Sequence, residues 1–128
     1  LLGWRENLEV YGTDYDTEDG SCIRDYIHVS DLADAHLRAL SFLEEQDEDL
    51  VLNLGTSKGI SVLEILDAAR KVSGMDLPVI HSDRRPGDPA VVLASAEKAE
   101  RLLEWSPAFS DVETILKTML AAYRSHHR

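Results

Sequence analysis

The pair Ser61 and Glu64, at the head of "SVLEILDAARKV", constrains the fold more than any other feature. A serine three residues before a glutamate forms a capping box, which opens a helix. Val62, Ile65, Leu66, Ala69 and Val72 then recur at the 3.6-residue period of one helix face. Before this helix lies "VLNLG", residues 51–55, a short apolar run ended by glycine that reads as a strand. After it, "SGMDLP" breaks the helix and "VIHS" reads as another strand. Residues 51–82 thus have the strand–helix–strand form of a parallel crossover unit, which predicts an α/β fold.

The flanking segments extend that pattern. "LEVYG", residues 8–12, alternates and is rich in β-formers, so a short strand is expected. Residues 12–22 are a loop of turn formers, and "CIRDYIHV", residues 22–29, is a second extended piece. Ser30 is placed to cap a helix running to about residue 44, with Asp31 and Asp34 where the helix dipole favours acid. Leu32, Ala33, Leu37, Leu40 and Leu43 would form its inner face. Ser95 is expected to cap a short helix with Ala96, Ala99, Leu102 and Leu103 inward. Ser110 and Glu113 form a second capping box, followed by the stripe Val112, Ile115, Leu116, Met119 and Tyr123. No flexible linker interrupts the pattern, so residues 1–128 read as one unit of short strands and about four helices.

Charge narrows the class of partner. Thirteen Lys and Arg against 24 Asp and Glu give a net charge of −11, which disfavours nucleic acid and anionic membranes. An anion bound here must be gripped by a few local cations. No apolar run approaches the ~20 residues of a membrane span. The opening "LLGWRENLEV" lacks the apolar stretch of a signal peptide. Cys22 is the single cysteine, so no internal disulfide or cysteine-rich zinc site is expected, which suits a reducing cytoplasm.

The acidic loop "GTDYDTEDGS" raises the question of a metal. Starting from Asp14, the acids Asp16 and Glu18 follow calcium-loop spacing, but Asp19 stands where glycine is required and Gly20 comes one residue late. A solvated turn is the expectation. Arg24 is of a different kind. It lies among Ile23, Tyr26, Ile27 and Val29, where a guanidinium needs a partner: Asp25, Asp31 or Asp88, or a ligand phosphate or carboxylate. "RRPGD" tilts that choice, because Pro86 and Gly87 make a tight turn that fixes Arg85 relative to Asp88. An arginine beside a carboxylate on a rigid turn suits a ligand with phosphate and hydroxyls, such as a sugar nucleotide. "NLGTSKGIS" could offer backbone N–H groups to an anion, but a plain strand-to-helix connection is the simpler reading. His28 reads as a hydrogen-bonded core residue, Tyr26 as core or as a ligand-facing hydroxyl, and Cys22 as no nucleophile.

Together "LEVYGTDYDTEDGSCIRDYIHVSDLADAH", "VLNLGTSKGISVLEI" and "RRPGDPAVVLASAEKAERLLEW" resemble the C-terminal part of the UDP-glucose 4-epimerases. These are NAD-dependent extended short-chain dehydrogenases/reductases of galactose metabolism, with a Rossmann-type NAD domain. The resemblance runs from about Leu2 to Tyr123. It implies that Arg24 and Arg85 grip the UDP diphosphate. It further implies that Asp88 bonds a hydroxyl, of the ribose, with Pro86 and Gly87 shaping the turn. The main chain of Glu9, Val10 and Tyr11 would read the uracil edge. Val92 matches a sugar-pocket position, and its modest size would admit N-acetylated sugars. Ser95 departs from the Asp or Asn of many relatives.

The resemblance also implies what is elsewhere. NAD needs a Gly-x-x-Gly-x-x-Gly turn, and hydride chemistry a Tyr-x-x-x-Lys pair. Four residues after Tyr11, Tyr15, Tyr26 and Tyr123 stand Tyr15, Asp19, Ser30 and His127, so neither motif is found. The expectation is a UDP-binding portion, inactive alone, with no catalytic residue. NAD would be held by an N-terminal domain outside this chain, in a parent that is homodimeric. In such a parent C4 of the sugar is oxidised by NAD, and the keto sugar turns over and is reduced on its other face. Sister UDP-pentose or UDP-N-acetylhexosamine 4-epimerases, a non-catalytic nucleotide-sugar-binding module and a remnant that binds nothing are the alternatives.

Overall fold

The computed structural model describes residues 6–46 and 48–126. These residues form five short strands and four helices, in the order β1 (Leu8–Tyr11), β2 (Ile23–Arg24), α1 (Val29–Glu45), β3 (Ile60–Ser61), α2 (Val62–Ser73), β4 (Val79–Ser82), β5 (Val91–Val92), α3 (Glu97–Leu103) and α4 (Val112–His126). The α/β class expected from the sequence is observed. The crossover is not the expected one. β4 pairs in parallel with β1, while β2 is the middle strand of a separate sheet, antiparallel to β3 and parallel to β5.

Residues 51–55 are not a strand. Leu52 and Leu54 are partly buried against the core of Ala35, Ala96, Ala99, Leu103 and Trp105, while Val51 is exposed. The apolar run seen in the sequence is therefore used in packing, but it seats on a helix layer instead of entering a ladder. The extended segment after Cys22 shortens to the two residues of β2, and beyond Arg24 the chain leaves the ladder.

The expected helices form, α2 with the expected cap and the other three with caps that differ. Ser61 and Glu64 make the capping box of α2, and Gly74 closes that helix in a left-handed conformation at φ 68°. At α1 the cap is His28, whose Nδ1 accepts from the Ser30 N–H at 3.0 Å, so Ser30 is not the cap. At α4 Asp111 accepts from the Thr114 N–H at 2.9 Å, and Ser110 instead serves His28 and Asp31. The helix α3 starts from Ala96 with no side-chain cap, so Ser95 does not fill that role.

The inner face of α1 also differs from the leucine stripe expected. Asp31, Ala35, Ala39 and Phe42 face the core, while Leu37, Leu40 and Leu43 are exposed. Alanines let α1 approach Ala99 of α3 closely, which leucines would prevent. Arg38, on the same helix, donates to the carbonyl oxygens of Leu103 and Glu104 at 3.2 and 2.8 Å and so finishes α3. A second core lies between α2 and α4, where Ala68, Ala69 and Leu116 meet Leu77. In α4, Leu116 and Leu120 are the buried residues, while Met119 and Tyr123 stay largely exposed.

Candidate functional site

The site begins at β1. Leu8 and Gly12 donate their N–H groups to the carbonyls of Pro78 and Ser82 at 2.9 and 2.8 Å. Strand alternation then directs the main chain of Glu9 and Tyr11 to the opposite edge. No third strand pairs with β1 among the described residues. The side chain of Val10 is 1% exposed and serves the core, and by the same alternation its main chain faces β4, so the main-chain contact expected of Val10 falls to Glu9 and Tyr11 alone. The Glu9 carboxylate accepts from Ser82 Oγ at 2.6 Å and from the Tyr11 hydroxyl at 2.5 Å. These two bonds, Ser82 first, hold the Glu9 carboxyl below the usual carboxylate range.

Arg24 lies on the middle strand of the second sheet. Its Nη1 donates to the carbonyls of Ile23 and Pro89 at 2.8 and 3.0 Å, and its Nη2 stands 3.8 Å from Asp88 Oδ1. The other oxygen of Asp88 takes Nε and Nη2 of Arg85 at 2.8 and 2.7 Å. Arg24 and Arg85 therefore meet at one carboxylate. The meeting is arranged by the Pro86–Gly87 turn, with Gly87 at φ 86° and the Asp88 N–H donating to the Arg85 carbonyl at 3.2 Å. The Arg85 guanidinium also lies over the Tyr11 ring, 4.8 Å from its centroid. This contact joins the β1 edge to the arginine pair. Val92 is the register partner of Arg24 and is half exposed beside it.

Of the candidate residues, Glu9, Tyr11, Arg24, Arg85, Pro86, Gly87, Asp88 and Val92 are thus brought into one region. Tyr26 is half-buried two residues beyond Arg24. Burial pushes its hydroxyl pKa up, Cys22 adds to the shift and Arg24 opposes it, so the group stays protonated. Of the internal partners open to Arg24, the structure gives Asp88. Asp25 and Asp31 are engaged elsewhere.

The acidic loop is more than a solvated turn. Asp14 pairs with Arg84 at 2.7 Å, and Arg84 stacks on Tyr15 with 4.2 Å to the ring centroid. Asp19 accepts from Ser21 N and Oγ at 2.9 and 2.7 Å and from Ser61 Oγ. Burial works against the Asp19 charge, but the bonds from Ser61 and Ser21 outweigh it and lower its pKa. Asp14 and Asp19 point to separate partners, and through Asp19 and Ser61 the loop ties β1 to the head of α2.

The turn in "NLGTSKGIS" does cradle an anion, one of the chain's own. Asp25 Oδ1 accepts from Thr56 N and Oγ1 at 2.9 and 2.5 Å, and Oδ2 from the N–H groups of Ser57 and Ala94 at 3.1 and 3.3 Å. Ser57, at φ 56°, turns its N–H into this cradle. Sequence reasoning missed this role of Asp25 because its partners lie far along the chain, and the only local signal was an acid directly after Arg24 in a mostly apolar stretch.

Residues 3–55 match the family model "NAD dependent epimerase/dehydratase family". The UDP-glucose 4-epimerase of Lacticaseibacillus casei is 45% identical over 124 residues, which cover 97% of this chain and 38% of that protein. A crystal structure of a UDP-glucose 4-epimerase superposes with a TM-score of 0.93 at 44% identity, covering 97% of this chain and 38% of the other. The chain is thus similar over nearly its whole length to the UDP-glucose 4-epimerases, and over residues 3–55 to the NAD-dependent epimerase/dehydratase family. A second solved relative is the UDP-glucose 4-epimerase of Bifidobacterium longum in complex with NAD+ and UDP. It has a TM-score of 0.86 at 38% identity and covers 98% of this chain and 37% of its own. The chain spans under two fifths of the length of these relatives. Its fold is that of their matching portion.

Proposed function

We propose that the chain is the UDP-anchoring C-terminal part of a UDP-glucose 4-epimerase. The whole enzyme interconverts UDP-glucose and UDP-galactose through a 4-keto intermediate. The observation that carries this is the meeting of Arg24 and Arg85 at Asp88, next to the open edge of β1. Arg24 spends Nη1 on backbone carbonyls, so its remaining edge is the one offered to a diphosphate oxygen. Arg85, 59% exposed, can turn from Asp88 to the second phosphate. Asp88 is then released to accept from a ribose hydroxyl, and the main chain of Glu9 and Tyr11 takes the uracil edge. Two guanidinium charges offset the diphosphate within a protein of net charge −11.

The starts of α1 and α2 and the Thr56–Ser57 turn do not suit a dinucleotide phosphate. The N-terminus of α1 is capped by His28, that of α2 by Ser61 and Glu64, and the Thr56–Ser57 N–H groups are filled by Asp25. A dinucleotide phosphate finds no open helix start there. In this reading NAD and the Tyr-x-x-x-Lys chemistry belong to an N-terminal Rossmann domain outside the chain, and the chain alone is inactive. The parent is a cytoplasmic homodimer of galactose metabolism. No helix among the described residues is long and apolar enough to cross a membrane. Val92 borders the sugar, and its modest size would let the whole enzyme turn over UDP-N-acetylglucosamine. Absence of that turnover would remove this part of the reading.

Calorimetric titration of the chain with UDP tests the anchoring role. Saturable heat is expected, weakened about 100-fold by Arg24→Ala and about tenfold by Arg85→Ala, and unchanged by Arg70→Ala on α2. No heat from folded chain would refute the role. A gene that encodes Tyr-x-x-x-Lys and a glycine-rich turn upstream is expected. A start codon near Leu1 would favour the non-catalytic module.

A further inference from the structure

The strands that carry Arg24 are too short to hold it. β2, β3 and β5 have two residues each, so the ladder supplies little register beyond Ile23 and Arg24. The next residue along the chain, Asp25, carries the most heavily bonded carboxylate around the second sheet. It is partly buried and collects bonds from both flanks of β2: Thr56 and Ser57 on the β3 side, and Ala94 just past β5. Gly55 is packed against it so closely that a Cβ there would stand 2.5 Å from Asp25 Oδ2 and 2.8 Å from the Ala94 Cβ.

Consecutive side chains of an extended segment leave on opposite faces. Pinning the Asp25 carboxylate therefore sets the rotation of the backbone at Arg24. Arg24 reaches Pro89 and Asp88 from that rotation, and Val92, its register partner, lies two residues before Ala94. One carboxylate thus ties the turn after residue 55, the arginine strand and the strand of the sugar-facing valine.

We propose that Asp25 is a positioning residue for diphosphate binding, acting through Arg24: it replaces the missing ladder bonds of β2 and fixes where the Arg24 guanidinium is presented. This rests on the UDP-anchoring role of the chain. An asparagine keeps the shape, but its Nδ2 would face N–H donors instead of accepting from them.

The test is a double-mutant cycle on the whole chain, read by UDP calorimetry, with thermal unfolding in parallel. Asp25→Asn is expected to weaken UDP about tenfold in the wild-type background and less than twofold in an Arg24→Lys background. Gly55→Ala, which crowds the carboxylate out of place, is expected to mimic Asp25→Asn. Should Asp25→Asn not fold, Gly55→Ala and Thr56→Val carry the same cycle. Asp111→Ala, which uncaps α4, should lower the unfolding temperature and leave the affinity alone. Unchanged UDP affinity in Asp25→Asn would overturn the proposal, as would equal losses in both backgrounds. Failure of the wild-type chain to bind UDP at all is a different result and removes the anchoring role beneath it.

Discussion

Asp25 and Asp31 stand six positions apart in one segment, and each gathers a loop around its carboxylate. Asp25 is partly exposed and draws in Thr56, Ser57 and Ala94, all flanking the arginine site. Asp31 is 2% exposed and accepts from the N–H groups of Ala108 and Phe109 at 2.9 and 3.0 Å and from Ser110 Oγ at 2.5 Å. Its own carbonyl takes the indole N–H of the buried Trp105 at 3.0 Å. The same device is used twice with different consequences. Near the site it sets geometry, where little burial is at stake. At α1 it closes the core, where unpaired donors would be left dry.

The largest effect is therefore expected at Asp31. Asp31→Ala strands the Ala108 and Phe109 N–H groups beside a buried Trp105, costing about 3 kcal/mol. Urea unfolding of Asp31→Ala and Asp25→Ala side by side measures the contrast. The expected order is a clearly larger loss at Asp31. An equal or larger loss at Asp25 would erase the distinction between a core clasp and a site clasp.

Acid sharpens the same comparison. Burial works against the Asp31 charge, but the bonds from Ser110, Ala108 and Phe109 outweigh it and hold its carboxyl below the ordinary value, aided by His28. The folded state thus binds the proton less readily than the unfolded chain. This stabilisation is full above the unfolded value of about 3.9 and is lost as pH falls through the lower folded value. Asp19 has the same sign. Asp31→Asn is expected to flatten the acid limb of stability below about pH 4 by roughly 1 kcal/mol relative to wild type. Unfolding midpoints measured from pH 6 down to pH 2 give the slope, and an unaltered limb would place the acid sensitivity elsewhere.

These carboxylates mark how far the sequence could be read. Element types followed from local chemistry: the Ser61–Glu64 box, the 3.6-residue stripe of α2, the alternation of β1 and the Pro86–Gly87 turn each signal their own structure. Arg24, Arg85 and Asp88 were legible as a group through family resemblance, and the turn gave a physical reason for two of the three. Long-range choices were not legible. Whether Ser30 or His28 caps α1 depends on Ser110 and Thr118, which hold the His28 backbone and ring at 2.9 and 2.8 Å from more than eighty residues away. The pairing of "VIHS" with β1 instead of with residues 51–55 depends on which apolar run the α1–α3 layer captures. The leucines of α1 misled for a related reason, since their period is helical but smaller side chains win the close contact with α3.

Those leucines give the smallest effect and the last way to separate the two regions. Leu37, Leu40 and Leu43 are 66%, 56% and 46% exposed, and Val51 is 81% exposed. Such a face seldom stays bare in a soluble protein, and self-association of the isolated chain is expected through it. Leu37→Lys with Leu40→Glu places an opposite-charge pair three positions apart on the helix and removes little buried surface, so stability should change by less than about 0.5 kcal/mol. Light scattering at high concentration should then show the wild-type chain above monomer mass and the double variant closer to it, with UDP binding unaltered. A monomeric wild-type chain would mean that these leucines are ordinary exposed residues. If UDP affinity fell together with self-association, the α1 face and the arginine site would be coupled, and the division between a region that positions and a region that closes the core would not stand.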